Sequence, residues 1–78
     1  MNIMIYYFAS LREEIGCGET SIDSDATSLT VAKVWTLATG KNSLSDKILT
    51  AINQEYVDSN ATVVDGDEVA FFPPVTGG

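Results

Sequence analysis

The sequence predicts an α+β domain in which a mixed sheet of about five strands carries one main helix on one face. Three features support this prediction: an apolar, β-branched segment opens the chain, one stretch has the spacing of an amphipathic helix, and a second apolar strand segment lies near the end. The 78 residues, 45% of them hydrophobic, suffice for one small core. We therefore expect one domain over residues 1–74, followed by a flexible tail over residues 75–78.

The first strand is predicted over residues 2–8, where β-branched and aromatic residues dominate. Alternation makes both of its faces apolar, with Ile3, Ile5 and Tyr7 on one and Met4, Tyr6 and Phe8 on the other. Ser10 is expected to cap a short helical turn that Gly16 ends. Residues 19–23 form the next predicted strand, which returns antiparallel to the first.

The main helix is predicted to start after Thr30, whose hydroxyl suits an N-cap, and to stop at Gly40. Apolar residues follow Thr30 at the i, i+3, i+4 and i+7 spacing of one helix face: Val31, Val34, Trp35 and Ala38. Valine and threonine have weak helix propensity, so we expect packing on the sheet to stabilise this helix.

The middle of the chain is predicted to add one helical turn and two strands. The helical turn is expected at residues 43–46 and a strand at residues 49–53. A tight turn at Asn53-Gln54 then leads into a short strand around Tyr56-Val57.

The last strand is predicted over residues 68–72, directly after the strong turn signal Asp65-Gly66-Asp67. It ends there because Pro73 and Pro74 cannot donate to a strand ladder, and the tail is expected to leave the sheet stiff. The first and last strands are the most apolar, so we expect them side by side at the centre of the sheet. This order of elements is that of a ubiquitin-like β-grasp fold.

Composition restricts the class of partner. The formal net charge is −7 at pH 7, and all four basic residues precede residue 48: Arg12, Lys33, Lys41 and Lys47. Nucleic acid is disfavoured, because binding it requires clustered basic residues. An acidic second half favours a basic partner surface, although acidity also serves solubility alone.

Cysteine usage and hydropathy indicate the compartment. A single cysteine excludes an intramolecular disulfide, and the simpler assumption is a reducing compartment. The apolar run at the start of the chain is too short to span a bilayer, which takes about 20 residues. We expect a cytoplasmic protein with no membrane partner.

The residue types leave little equipment for catalysis. The chain has no histidine and one cysteine, which excludes His/Cys metal sites and Ser/His or Cys/His nucleophilic pairs. Asp65, Asp67 and Glu68 carry oxygen ligands suited to a hard cation, but a solvated hairpin turn is the favoured interpretation. We expect no directly bound cofactor or metal and no catalysis by the domain alone.

The end of the sequence offers a different chemistry. Gly77 and Gly78 have no Cβ atoms, so they suit a narrow channel and leave the terminal carbonyl unhindered. A carboxylate becomes reactive once ATP-dependent adenylation provides a leaving group, and sulfide then yields a thiocarboxylate. Val75 and Thr76 would set the reach of the tail. The alternative is a frayed chain end without function.

Three segments together carry a resemblance to a known family. Residues 65–78 (DGDEVAFFPPVTGG), residues 8–13 (FASLRE) and residues 51–54 (AINQ) resemble the small, sulfur-carrying subunits of molybdopterin synthase. The likeness extends over nearly the full length. Residues 16–47 match only as a pattern of elements, and the tail is the most specific part.

This resemblance implies a β-grasp sulfur carrier. Gly78 would be adenylated with ATP by an E1-like enzyme and then thiocarboxylated. The tail would enter the active site of a large catalytic subunit and give sulfur to a cyclic pyranopterin monophosphate, building the dithiolene of molybdopterin. The residues expected to thread are Gly77, Thr76, Val75, Pro74 and Pro73.

The same resemblance, together with strand alternation, predicts where partners bind. Phe8 and Phe72 are expected on the sheet face away from Ile3 and Val69, as an aromatic pair that docks the large subunit. Tyr56 is a further candidate. The alternative is that another part of the fold covers this second face.

Three rival functions remain open from the sequence. A sulfur carrier for thiazole synthesis shares the chemistry, but its tails usually lack Phe-Phe-Pro-Pro. A ubiquitin-like modifier would form isopeptide bonds. A plain interaction module would not need Gly78.

Overall fold

The computed structural model describes residues 1–41, 44–45 and 47–74 of the chain. In chain order the elements are β1 (Asn2–Tyr7), α1 (Ala9–Ile15), β2 (Glu19–Asp23), β3 (Leu29–Thr30), α2 (Val31–Thr39), β4 (Leu49–Ile52), β5 (Glu55–Val57), β6 (Thr62–Val63) and β7 (Glu68–Phe72). No helix in this described part of the chain is long and apolar enough to cross a membrane.

Five of the strands form one mixed sheet in the order β2-β1-β7-β4-β5. β1 and β7 lie side by side at its centre and run parallel, whereas the pairings β1–β2, β4–β7 and β4–β5 are antiparallel. The adjacency of the two most apolar strands is as predicted. The β-grasp fold is thereby confirmed.

A second, two-stranded sheet was not predicted from the sequence. β3 pairs antiparallel with β6, with Leu29 opposite Val63. Strands of two residues are too short to show an alternating pattern, so periodicity does not reveal them. The small sheet leads directly into the main helix, because β3 ends at Thr30 and α2 begins at Val31. The Val31 N–H also donates to the Ala61 carbonyl at 3.0 Å, which holds the start of the helix next to β6.

α2 begins and ends where the sequence places it. The Thr30 hydroxyl accepts a hydrogen bond from the Lys33 N–H at 3.2 Å, and Gly40 closes the helix with a φ of +75°. Val31, Val34 and Trp35 are buried, so the predicted apolar face is the one that packs on the sheet.

α1 begins earlier than predicted, and the expectation that Ser10 caps it is wrong. Ser10 lies inside the helix, whose N-cap position is Phe8, without a side-chain cap. The Phe8 N–H is already bonded to the Phe71 carbonyl at 3.2 Å, so the strand ladder carries the chain straight into the helical turn. Ala9 makes this change of direction with a φ of +52°, and Gly16 ends the helix as expected. Of the helical turn expected at residues 43–46, Ser43 and Asp46 lie outside the described residues.

Three aromatic rings occupy the centre of the core. Tyr7 stacks on Phe71 with ring centroids 6.0 Å apart, and Trp35 meets Phe71 edge-on at 5.0 Å. Tyr7 and Trp35 are almost fully buried, and neither the Tyr7 hydroxyl nor the Trp35 indole N–H has a hydrogen-bond partner among the described residues. Burying such groups unpaired costs stability.

The buried Tyr7 hydroxyl makes stability depend on alkaline pH. Burial, with a smaller contribution from Cys17, raises the pKa of Tyr7 to about 12. The unfolded chain releases this proton near pH 10, so the folded state binds more protons between the two values. We predict full stabilisation below about pH 10 and a loss of about 1.4 kcal/mol per pH unit from there to about pH 12.

Urea denaturation from pH 9 to pH 12 measures this loss, with Tyr7→Phe as the matched variant. The variant removes the titrating group and the unpaired hydroxyl together. Its free energy of unfolding should therefore fall less steeply with pH than that of the native chain. Equal slopes for the two proteins would contradict the assignment to Tyr7.

Candidate functional site

The candidate site lies where β7 ends and the chain leaves the sheet. Parallel pairing sets Tyr7 of β1 opposite Phe71 of β7, and both side chains point into the core. The next residue of each strand therefore points to the opposite face. Phe8 and Phe72 emerge there side by side, as alternation predicts.

Phe8, Phe72 and Tyr56 form what we call the aromatic patch. The rings of Phe8 and Phe72 stack almost parallel, with centroids 4.7 Å apart and an interplanar angle of 7°. Tyr56 is tilted by 55° against Phe72 at 5.9 Å. Phe8 is 44% exposed and Tyr56 is 71% exposed, so the described part of the chain does not cover this face. The alternative of a covered second face therefore does not hold for Phe8 and Tyr56 within the described residues, whereas Phe72 is partly buried.

The patch borders an open groove of about 400 Å³ on the same sheet face. The groove is lined by Tyr6, Phe8, Ala51, Gln54, Tyr56, Glu68, Ala70 and Phe72. Leu49 adds to this apolar surface, because it lies directly opposite Phe72 in the β4–β7 pairing and is 41% exposed. Leu49 and Gln54 were not predicted as site residues from the sequence. Alternation puts Leu49 and Ala51 on one face of β4, but only the pairing of Leu49 with Phe72 shows that this is the face of the groove.

The rim of the groove is polar and acidic. The Tyr6 hydroxyl donates to the Glu68 carboxylate at 2.8 Å. This hydrogen bond, followed by partial burial and the negative charges of Glu68 and Glu19, raises the pKa of Tyr6. Tyr6 therefore remains a neutral donor at physiological pH. Asp23 and Glu19 of β2 lie on this side as well, since they pair with Asn2 and Tyr6.

Comparison with known proteins assigns the chain to a family. The model of the ThiS family matches residues 5–78. The molybdopterin synthase sulfur carrier subunit of Escherichia coli is 39% identical, with 97% of this chain and 99% of that protein covered. The protein of the same name from Haemophilus influenzae is 40% identical over 95% of this chain and 96% of that protein. The chain belongs to the ThiS family.

A solved structure supports the fold assignment of this ThiS family member. The crystal structure of SAMP1, a small archaeal modifier protein from Haloferax volcanii, superposes with a TM-score of 0.79. It is 28% identical in sequence, and the superposition covers 100% of both chains.

The turn before β7 fixes where this strand starts in the ThiS family chain. The Asp65 carboxylate accepts from the Asn2 N–H at 2.6 Å, and the Gly66 N–H donates to the Asn2 carbonyl at 2.9 Å. Gly66 has a φ of +87°, which glycine adopts without strain. The Asp67 carboxylate accepts from the Val64 N–H at 2.9 Å.

The Asp65 and Asp67 carboxylates therefore bind backbone N–H groups. The expectation of a hairpin is wrong, because β6 pairs with β3 whereas β7 pairs with β1 and β4, so the turn connects two sheets. Within residues 1–41, 44–45 and 47–74, no group of three or more His, Cys, Asp or Glu side chains is placed to hold a metal ion.

The tail begins at two prolines that the structure describes. Pro73 is half-buried and Pro74 is exposed, so the chain passes from the sheet toward solvent directly beside the aromatic patch. The remaining predicted site residues lie outside the described residues: Val75, Thr76, Gly77 and Gly78. Their roles, and the threading role of both prolines, stay predictions.

The stacked geometry predicts a measurable coupling between Phe8 and Phe72. A double-mutant cycle of Phe8→Leu and Phe72→Leu, followed by urea denaturation, should give a coupling of about 0.5–1.5 kcal/mol in the free energy of unfolding. Phe8→Leu with Leu37→Ala is the control pair, because Leu37 is an exposed residue of α2. That pair should be additive within about 0.5 kcal/mol. A Phe8–Phe72 coupling no larger than the control would show that the stack contributes nothing beyond burial.

Proposed function

We propose that this ThiS family chain is the sulfur carrier subunit of a molybdopterin synthase. The observation that supports this most is the stack of the exposed Phe8 on the half-buried Phe72, at the point where β7 is followed in the sequence by Pro73-Pro74 and the Gly-Gly end. A carrier needs a surface that a partner recognises and a narrow end that this partner admits. The two features lie within six residues of each other in the sequence.

In this proposal the chemistry occurs at the carboxylate of Gly78. An E1-like enzyme joins the carboxylate to the adenylyl group of ATP and releases pyrophosphate. Sulfide then displaces AMP, which leaves a terminal thiocarboxylate. The sulfur of this group is a better nucleophile than the oxygen it replaces, and it is transferred to a cyclic pyranopterin monophosphate. Two rounds complete the dithiolene.

The domain itself acts as a non-catalytic subunit. The sequence has no histidine, and Cys17 is exposed in the loop between α1 and β2. Activation and transfer are therefore assigned to two partners, the adenylating enzyme and the large subunit. ATP is bound by the former and not by this chain.

The aromatic patch is the proposed docking surface for the large subunit. Exposed aromatic anchors supply much of the energy of such interfaces. Glu68 and Glu19 beside the patch favour a partner surface that carries basic residues. The lone cysteine supports a cytoplasmic location for the complex.

Protein modification is the second candidate function. Its support is the structural likeness to SAMP1, a small archaeal modifier protein. An adenylated terminal glycine would then be attacked by a lysine amine instead of sulfide. The Phe-Phe-Pro-Pro segment and the two carrier-subunit relatives favour the sulfur carrier.

Intact-mass spectrometry tests the carrier chemistry. After incubation with ATP, a sulfur source and the cognate adenylating enzyme, the chain should gain the mass of one sulfur minus one oxygen. A variant that lacks Gly78 should gain nothing. An unchanged mass of the native chain, in a mixture that thiocarboxylates a known carrier, would reject the proposal.

Calorimetric titration with the large subunit tests the docking surface. Phe72→Ala should weaken binding by about 1–3 kcal/mol, because it removes the ring that contacts both Phe8 and Tyr56. Leu37→Ala is the matched control, since it also removes an exposed apolar side chain, but from α2. Equal affinities of the two variants would show that the large subunit docks elsewhere.

A further inference from the structure

Gln54 adopts a backbone conformation that favours glycine. Its φ is +74°, and that of Asn53 is +50°. The two residues form the two-residue loop of the β4–β5 hairpin, because Ile52 pairs with Glu55 across it. Positive φ at both central positions is typical of a type I′ turn, in which Asn-Gly is a preferred pair. Asn53 follows that preference, and Gln54 does not.

Asn53 holds the turn in this conformation. Its main-chain N–H donates to the Glu68 carbonyl at 2.8 Å, and its side-chain Oδ1 accepts from the Glu68 N–H at 3.0 Å. Its Nδ2 donates to the Asp67 carboxylate at 3.0 Å. The turn is thereby fixed to the start of β7, which allows a strained neighbour to persist.

Gln54 lies in the groove next to the aromatic patch. Gln54 lines the groove together with Tyr56, Phe72, Tyr6 and Glu68. The Tyr6 hydroxyl and the Glu68 carboxylate are engaged with each other. Gln54 is exposed, and no side-chain hydrogen bond of its carboxamide occurs within the described residues. The carboxamide therefore has both donors and an acceptor to offer to a partner.

We propose that Gln54 is a specificity-determining contact for the large subunit, to which its carboxamide hydrogen-bonds beside the aromatic patch. Glycine at this position would relieve the backbone but would offer no such group. The inference rests on the proposed function, which supplies the partner, and on the continuity of Gln54 with the surface formed by Phe72 and Tyr56. Strain retained at an exposed turn is characteristic of functional positions.

Two variants separate the side chain from the backbone. Gln54→Gly removes the carboxamide and relieves the positive φ, whereas Gln54→Ala removes the carboxamide and keeps the strain. Thermal unfolding of each full chain should show a Tm higher by about 4 °C or more for Gln54→Gly and little change for Gln54→Ala. Titration with the large subunit should show Kd increased by about three- to tenfold for both variants.

The pattern across the two variants decides the outcome. If both bind as tightly as the native chain, or if only one of them binds more weakly, the side chain does not make the contact and the inference is overturned. If the native chain itself does not bind the large subunit, the proposed function is overturned and this inference with it. Native binding together with unchanged variants overturns the inference alone.

Discussion

The parallel pairing of β1 with β7 is the interaction on which the rest of the structure depends. It joins residues more than sixty positions apart and sets Tyr7 opposite Phe71 in the core. Because strand side chains alternate, the same register places Phe8 beside Phe72 on the open face. A shift of one residue would exchange the core and the aromatic patch. One register therefore determines both the stability of the domain and the surface beside the tail.

In the proposed function, the domain positions the tail and leaves the chemistry to its partners. Hydrogen bonds of the Asp65-Gly66-Asp67 turn and of Asn53 fix the start of β7, and the strand ends at Phe72, directly before Pro73. These contacts leave little freedom in where the chain departs from the sheet. In the proposed function, partners confer the reactivity and the domain determines which partners can use it.

Much of the fold follows from the sequence because its signals are local and repeated. The alternation in residues 2–8 and 68–72 and the helical spacing after Thr30 predict the central strands, α2 and the orientation of Phe8 and Phe72. The strands β3 and β6 could not be predicted in this way, because two residues are too few to show an alternating pattern. Ser10 is a good capping residue by type, but the strand ladder extends to Phe8 and the helix starts before Ser10.

The residues that line the groove could not be predicted from local sequence patterns alone, because their positions depend on how the strands pair. Leu49 joins the patch only because β4 sets it opposite Phe72, a contact between residues 23 positions apart. The dipeptide Asn53-Gln54 predicts a turn, but the positive φ of Gln54 follows from the anchoring of Asn53 on β7. Tertiary contacts of this kind have no local signature in the chain.

Transfer of labelled sulfur tests the central claim most directly. The chain would be thiocarboxylated with radioactive sulfur and mixed with cyclic pyranopterin monophosphate, with and without the large subunit. The account predicts that label enters the dithiolene product only when the large subunit is present. Label in the product without the large subunit, or unlabelled product formed with it, would contradict the division between a positioning domain and a catalytic partner.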